Sequence, residues 1–272
     1  MEQKMHSNHN LGHKIHPTAI VNSKYIGRNV EIGAYSIVGE NVALEEGVKI
    51  HSHVVLDGNT KIGQFSEVFP FASIGKAPQD LKYKGEPTQL IIGKRNKIRE
   101  HVTINTGTEQ GGGLTEVGND CLLMVGVHIA HDCRVGNGVI MANNATLAGH
   151  VIVEDFVIIG GLSAIHQFVR IGKYAMIGGM SGIENDVIPY GLAMGKRANL
   201  VGLNLVGLKR KDFSKEDINL LRKLYKEIFG KDEKSFSAKI EGLIQEHHNN
   251  ETILELLNFL KNNRERAICR PE

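Results

Sequence analysis

Aliphatic residues recur at every sixth position from Ile20 through Ile26, Ile32, Val38, Leu44, Ile50, Leu56, Ile62 and Val68 to Ile74. The same beat returns at Ile92, Ile98 and Ile104, then runs unbroken from Val117 to Ile183. Two positions before each stands a small or β-branched residue, such as Thr18, Val30, Ser36, Thr60, Ala72, Val127, Cys133, Ser163 or Ser181. Both positions are expected to point inward. A six-residue period of this kind predicts short strands, each burying one large and one small side chain against neighbouring coils. Three strands make a coil of eighteen residues, which is a parallel β-helix. Glycine often follows the aliphatic residue (Gly27, Gly33, Gly63, Gly136), where a tight turn is expected.

The beat breaks twice. Residues 75–91, with Pro78 and Pro87, are expected to form an inserted loop in which one coil's worth of chain is displaced outward in register. Residues 106–116 carry three consecutive glycines and shift the register by one. Loops on a rigid scaffold tend to carry binding residues. After Pro189 the spacing becomes helical at Ile218, Leu221, Leu224, Tyr225 and Ile228, with Ser214 and Asp217 placed as a capping box. Two further helices are expected near 235–247 and 251–262. The chain therefore divides into a polar tail (1–14), a β-helix (15–190) and an α-helical C-terminal domain (191–272).

A net charge of +2 makes nucleic acid an unsuited partner, and 41% apolar with 23% charged residues is ordinary for a soluble protein. No apolar run is long enough for a secretory signal or a transmembrane segment. Of the three cysteines, Cys121 and Cys133 fall on small inward positions and read as buried thiols, which fits a cytoplasmic setting. His6, His9 and His13 in the polar tail are assigned no function.

Where the hexads run unbroken, residues eighteen apart should stack, about 4.8 Å from coil to coil. His131, Gly149 and Gln167 then form one column, Asp132, His150 and Phe168 the next, and Ala130, Ala148 and His166 a third. A histidine beside an aspartate is what general-base chemistry needs, an imidazole whose tautomer a carboxylate can set. Gly149 offers an unobstructed N–H to an oxyanion, a contact whose loss typically costs about 2.7–4 kcal/mol. No serine or cysteine nucleophile is evident, which favours direct transfer between two bound substrates. The clustered histidines leave open a zinc-dependent hydratase of the carbonic anhydrase-like β-helix type. A scaffold that only binds a partner is a further alternative.

The segments HIAHDC (128–133), ANNATLAGHV (142–151), HQF (166–168), QDLKYKGEPT (79–88) and GLKR (207–210) together resemble the UDP-N-acetylglucosamine 3-O-acyltransferases that begin lipid A synthesis in Gram-negative bacteria. That resemblance implies a left-handed helix, since handedness does not follow from spacing. It also implies a homotrimer with sites in the clefts between subunits, acting without a cofactor or metal. The acyl donor would be a (R)-3-hydroxyacyl carrier protein and the acceptor UDP-N-acetylglucosamine. His131 would be the general base, Asp132 its orienter and Gly149 the oxyanion donor. Asp80, Lys82, His128, His150 and Gln167 match substrate-binding positions, His166 borders the acyl groove, and Asn204 and Arg210 lie near the nucleotide. Gly179 matches a position that measures the acyl chain, and glycine there implies a long one. Lys196, Arg197, Lys209, Arg210 and Lys211 would dock the acidic carrier protein. Val206, Lys211 and Asn105–Thr106 depart from the pattern, the last replacing a His-Arg pair.

Overall fold

The computed structural model describes residues 12–230, 235–262 and 265–272. His6 and His9 of the tail lie outside the described residues. Among the described residues short strands wind into three faces of eleven, nine and eight strands, each strand between the ends of a face hydrogen-bonded to its neighbours on both sides. The coils pair in parallel, and from Val117 to Ile183 partners are eighteen residues apart, as in Leu122 with Ile140, His128 with Thr146 and Arg134 with Ile152. The large inward column on the second face, Ile129, Leu147, Ile165 and Ile183, is buried, and so is its small column, Val127, Ala145, Ser163 and Ser181. Burying each such aliphatic side chain contributes about 1.5–3 kcal/mol. Inward hydroxyls are satisfied by the next coil, as where Ser163 Oγ donates to Gly178 O at 2.9 Å and Ser36 Oγ to His51 O at 2.7 Å. Burial pushes the thiols of Cys121 and Cys133 up to about 11 and about 12, so both are unreactive at neutral pH.

Four details differ from the expectation. The first coil is one residue short, because Ile20 pairs with Ile37 and Val21 with Val38. Val21 and Ala19 therefore pack against the core, whereas Ile20 is 55% exposed and Thr18 is exposed too. The first insertion is not a whole coil. Ile62 pairs with Ile92, thirty residues on, so twelve residues are added to the regular eighteen. Ile92 pairs with Val117 at twenty-five, so the second break adds seven, one hexad and the expected one-residue shift.

The glycines after the aliphatic positions do not make the turns, with Gly75 the exception. At Gly27 a Cβ would lie 2.7 Å from the main chain of Glu45 and Glu46, so glycine is needed there for close approach of the next coil. The left-handed turn residue comes third after the aliphatic one and is mostly not glycine: Tyr35, His53, Asp132, His150 and Phe168 all have φ near +60°. Such φ values are uncommon outside glycine, though less so for Asp, Asn and His.

The β-structure also runs beyond residue 190. Gly191–Met194 joins the first face through Met176 and Leu192 and pairs antiparallel with Asn199–Leu203. Four helices follow, α1 (Leu205–Arg210), α2 (Lys215–Phe229), α3 (Phe236–Glu246) and α4 (Glu251–Lys261). The N-cap half of the box is formed, with Asp217 N donating to Ser214 Oγ at 3.0 Å, while the Asp217 carboxylate accepts from the Ser214 hydroxyl at 2.7 Å. Helix α2 buries Ile218, Leu221, Leu224 and Ile228. The chain end is stitched to the last coil, with Asp186 N donating to Ala267 O and Cys269 N to Asp186 O, both at 2.8 Å. Among the described residues no helix is long and apolar enough to cross a membrane.

Candidate active site

The turns after His128–Ile129, Thr146–Leu147 and Ala164–Ile165 stack at one corner of the prism, between the second and third faces. His150 N donates to His131 O at 3.0 Å and Phe168 N to Gly149 O at 3.2 Å, so the columns expected from spacing are formed. The rings of His131 and His150 meet edge to face with centroids 5.2 Å apart, and His150 lies flat on Phe168 at 4.6 Å.

Asp132 is the buried centre of this cluster. His131 Nδ1 is 2.7 Å from Asp132 Oδ2, and the carboxylate side chain is only 1% exposed. Thr108 donates its N–H to Oδ1 at 2.8 Å and its hydroxyl to Oδ2 at 2.6 Å, while Asp132 N donates to Thr115 Oγ1 at 2.8 Å. With every other neighbour of the carboxylate a donor, His131 presents Nδ1–H to it, and the lone pair of the imidazole is left on Nε2. That edge faces Gly149, where a Cβ would come within 2.6 Å of Cε1 and 2.8 Å of Nε2. Among the described residues the Gly149 N–H has no hydrogen-bond acceptor.

Two neighbouring histidines are held below their ordinary pKa. Burial is the main cause for His128, reinforced by nearby His131, and Thr103 Oγ1 lies 2.7 Å from His128 Nδ1. Burial also lowers His150, opposed by the charge of Asp132 and more weakly by that of Asp80. Asp80 lies on the first insertion, where its Oδ1 accepts from Lys82 N at 2.8 Å; Lys82 itself is exposed. Asn105 Nδ2 donates to Ala77 O at 3.0 Å and Thr106 N to Lys76 O at 3.1 Å. This unusual pair thus closes the base of that loop.

His166 and Gln167 stand one coil beyond Gly149, and His166 Nδ1 is 2.7 Å from Arg266 Nη2. The other expected residues lie elsewhere on the chain. Gly179 precedes the second-face strand Gly182–Ile183, at the opposite edge of that face from His131. Asn204 caps α1, accepting from Gly207 N at 3.0 Å and donating to Tyr174 O at 2.9 Å, which places it at the corner between the third and first faces. Arg210 is exposed in the last turn of α1, where Val206 is exposed as well. Lys211 Nζ sits 4.9 Å from the Phe156 ring centroid.

Sequence reasoning missed Thr108 and Thr115. The signal available was the second break itself, whose glycines allow the chain to fold onto Asp132. A side chain at Gly111 would run into the Asp132 carboxylate, and one at Gly107 would lie 2.9 Å from Oδ1. His131, Asp132 and His150 also offer three ligand atoms within 4.8 Å of one another, a set that fits a divalent metal. A metal there would have to displace donors already bound to the carboxylate.

The bacterial transferase hexapeptide profile matches residues 23–58 and 115–149, and the profile for UDP-N-acetylglucosamine O-acyltransferase domain 2 matches 186–269. The chain is similar to the acyl-[acyl-carrier-protein]–UDP-N-acetylglucosamine O-acyltransferase of Azorhizobium caulinodans, with 50% identity over 94% of this chain and 95% of that protein. The same enzyme of Rickettsia canadensis is also 50% identical, covering 94% and 97%. A solved UDP-N-acetylglucosamine acyltransferase from Campylobacter jejuni superposes with a TM-score of 0.89 at 38% identity, over 95% of this chain and all of that one. The fold is the left-handed parallel β-helix with a C-terminal helical region.

Proposed function

The chain belongs to the UDP-N-acetylglucosamine O-acyltransferase family, and we propose that it transfers a (R)-3-hydroxyacyl group from acyl carrier protein to the 3-hydroxyl of UDP-N-acetylglucosamine, the step that begins lipid A synthesis. The observation that carries the mechanism is the 2.7 Å bond from His131 to buried Asp132, which leaves Nε2 as the free acceptor. His131 Nε2 takes the hydroxyl proton as the sugar oxygen attacks the thioester carbonyl. The Gly149 N–H meets the oxyanion of the tetrahedral intermediate. Collapse expels the carrier's thiolate, which recovers the proton from the imidazolium. Asp132, fixed by Thr108 and Thr115, holds the ring and stabilises its charged form.

Asp80, Lys82, His128, His150, His166 and Gln167 bind substrate beside this dyad. Gly179, Asn204 and Arg210 sit at other corners of the same prism and reach a site of this kind only from a neighbouring copy, which supports a homotrimer with clefts between subunits. The basic residues Lys196, Arg197, Lys209, Arg210 and Lys211 offer an acidic carrier protein a complementary surface. Reduced, buried thiols and these substrates fit a cytoplasmic enzyme.

The test is an acyl-transfer assay with UDP-N-acetylglucosamine and (R)-3-hydroxyacyl carrier proteins of several lengths, with and without chelator, beside His131→Ala. Turnover that survives chelator and collapses in the variant supports the reading. Bound zinc and a chelator-sensitive hydration activity without acyl transfer would favour the metal-dependent hydratase, the second reading that the three clustered ligand atoms suggest. No product with any donor directs the assay to a 3-amino sugar acceptor.

A further inference from the structure

Arg266 and His166 are a hundred residues apart and joined by a short contact, Nη2 to His166 Nδ1 at 2.7 Å, while Arg266 Nε donates to Gln167 O at 3.0 Å. The arginine is held in place by its own neighbours. Ala267 O and Cys269 N bond to the main chain of Asp186, Ile268 bridges Asp186, and Leu200 N donates to Arg270 O at 3.0 Å. Asp186 is wholly buried, and its carboxylate accepts from Arg170 N and Nε at 2.8 Å each. The C-terminal segment is thus clamped beside the turn that carries His166.

A guanidinium stays protonated and can only donate. The nitrogen it faces must therefore present a lone pair, so the ring proton of His166 sits on Nε2. Gln167 O lies 3.3 Å from the same Nδ1 and would accept a proton from it, which is the opposite tautomer. Two acceptor–donor choices compete for one nitrogen, and the shorter arginine contact wins. His166 stands two coils beyond Ala130 in the column Ala130, Ala148, His166, about 10 Å along the axis. The two half-buried alanines lie between the level of His131 and that of the exposed His166.

We propose that Arg266 is a positioning residue that fixes His166 as an Nε2–H donor to a substrate oxygen lying along this column. The oxygen is a hydroxyl, carbonyl or phosphate of either substrate. The proposal rests on the acyl-transfer reading for its substrate and on the two hydrogen bonds for its tautomer.

Selective 15N labelling of histidine reads the tautomer directly, in the full-length protein without substrate. Wild type is expected to show a protonated Nε2 at His166. Arg266→Met, which keeps an unbranched apolar stem and removes the donors, is expected to move the proton toward Nδ1, and Arg266→Lys, which can still donate, to restore it. Should Arg266→Met fail to fold, Arg266→Leu, which also lacks a donor, carries the same readout. In kinetics, Arg266→Met and His166→Ala should each raise KM by roughly 3- to 10-fold, the loss of one hydrogen bond, with kcat little changed. The double variant should be no worse than either alone. A rise confined to the acyl carrier protein places the oxygen on the acyl donor, and one confined to UDP-N-acetylglucosamine places it on the sugar nucleotide. An unchanged His166 tautomer in Arg266→Met, or losses that multiply in the double variant, overturns the proposal. Absence of turnover in wild type would instead count against acyl transfer and leave the tautomer measurement standing.

Discussion

Thr108 donates two hydrogen bonds to one carboxylate, from its N–H to Asp132 Oδ1 at 2.8 Å and from its hydroxyl to Oδ2 at 2.6 Å. The two residues are twenty-four positions apart, and the insertion between the coils exists in part to bring them together. Its short 3-10 turn, Glu109–Gly111, is itself capped by the Thr108 side chain. The orientation of His131 thus depends on a loop that does not touch the imidazole.

Thr108→Val removes the hydroxyl donor and keeps the N–H. Asp132 Oδ2 then keeps its hydrogen bond to His131, with His150 Nε2 at 3.7 Å, and loses one donor, which costs about 1.5–3 kcal/mol for a buried charged group. The expected result is a fall in kcat with KM for both substrates little changed, together with a lower midpoint in urea. Steady-state kinetics and equilibrium unfolding check both halves.

Gly149→Ala places a methyl group where the His131 ring edge now lies, 2.6 Å from Cε1 and 2.8 Å from Nε2. Gly149 does not use a left-handed φ, so the backbone accommodates alanine and the ring must move. Misplacing a catalytic group by about 1 Å can cost on the order of 100-fold. A loss of that order in kcat, with a melting temperature close to wild type, is expected. Full activity in this variant would detach His131 from the chemistry.

His128 is held below its ordinary pKa by burial and by His131. The unfolded chain therefore binds a proton that the folded chain refuses. Stability from this group is complete above the unfolded value, about 6.5, and is lost as pH falls from there through the folded value. Replacing it by glutamine, His128→Gln, should flatten the decline in unfolding free energy between neutral and mildly acidic pH. Urea titrations at a series of pH values measure that slope, and an unchanged slope would show that His128 is not the group responsible.

A Cβ at Gly179 would meet only Gly161, at 3.4 Å from its O and 3.8 Å from its N, which is ordinary contact. Nothing within the chain requires glycine there. Gly179→Leu should therefore leave the melting temperature near wild type while shifting the preferred acyl donor to a shorter chain. Relative kcat/KM across a chain-length series is the measurement, and an unaltered preference would remove Gly179 from the groove.

Much of the site was legible because a β-helix converts sequence separation into distance. Once Ile129, Leu147 and Ile165 are placed inward, His131, Gly149 and Gln167 must stack, and His131 must neighbour Asp132 and His150. The same arithmetic misplaced Ile20, because a turn one residue short leaves a plausible aliphatic residue on the sixth position while moving Val21 into the core. It also assigned the turns to the wrong residue. Gly27 and its counterparts repeat for close packing of successive coils, and the left-handed position is filled by Asp132, His150 and several aromatic residues.

The sequence by itself determined the coil, its period, the stack of His131 over Gly149 and the onset of α2 at Ser214. All of these follow from local periodicity, where each residue meets only its neighbours in the next coil. Tertiary structure alone decided what surrounds that stack: the return of Thr108 onto Asp132, the closure of the first loop by Asn105 and Thr106, and the reach of Arg266 to His166. These contacts join segments that share no period. Their distances are set by how the inserted loops and the C-terminal segment pack, and no count of residues along the chain contains that information.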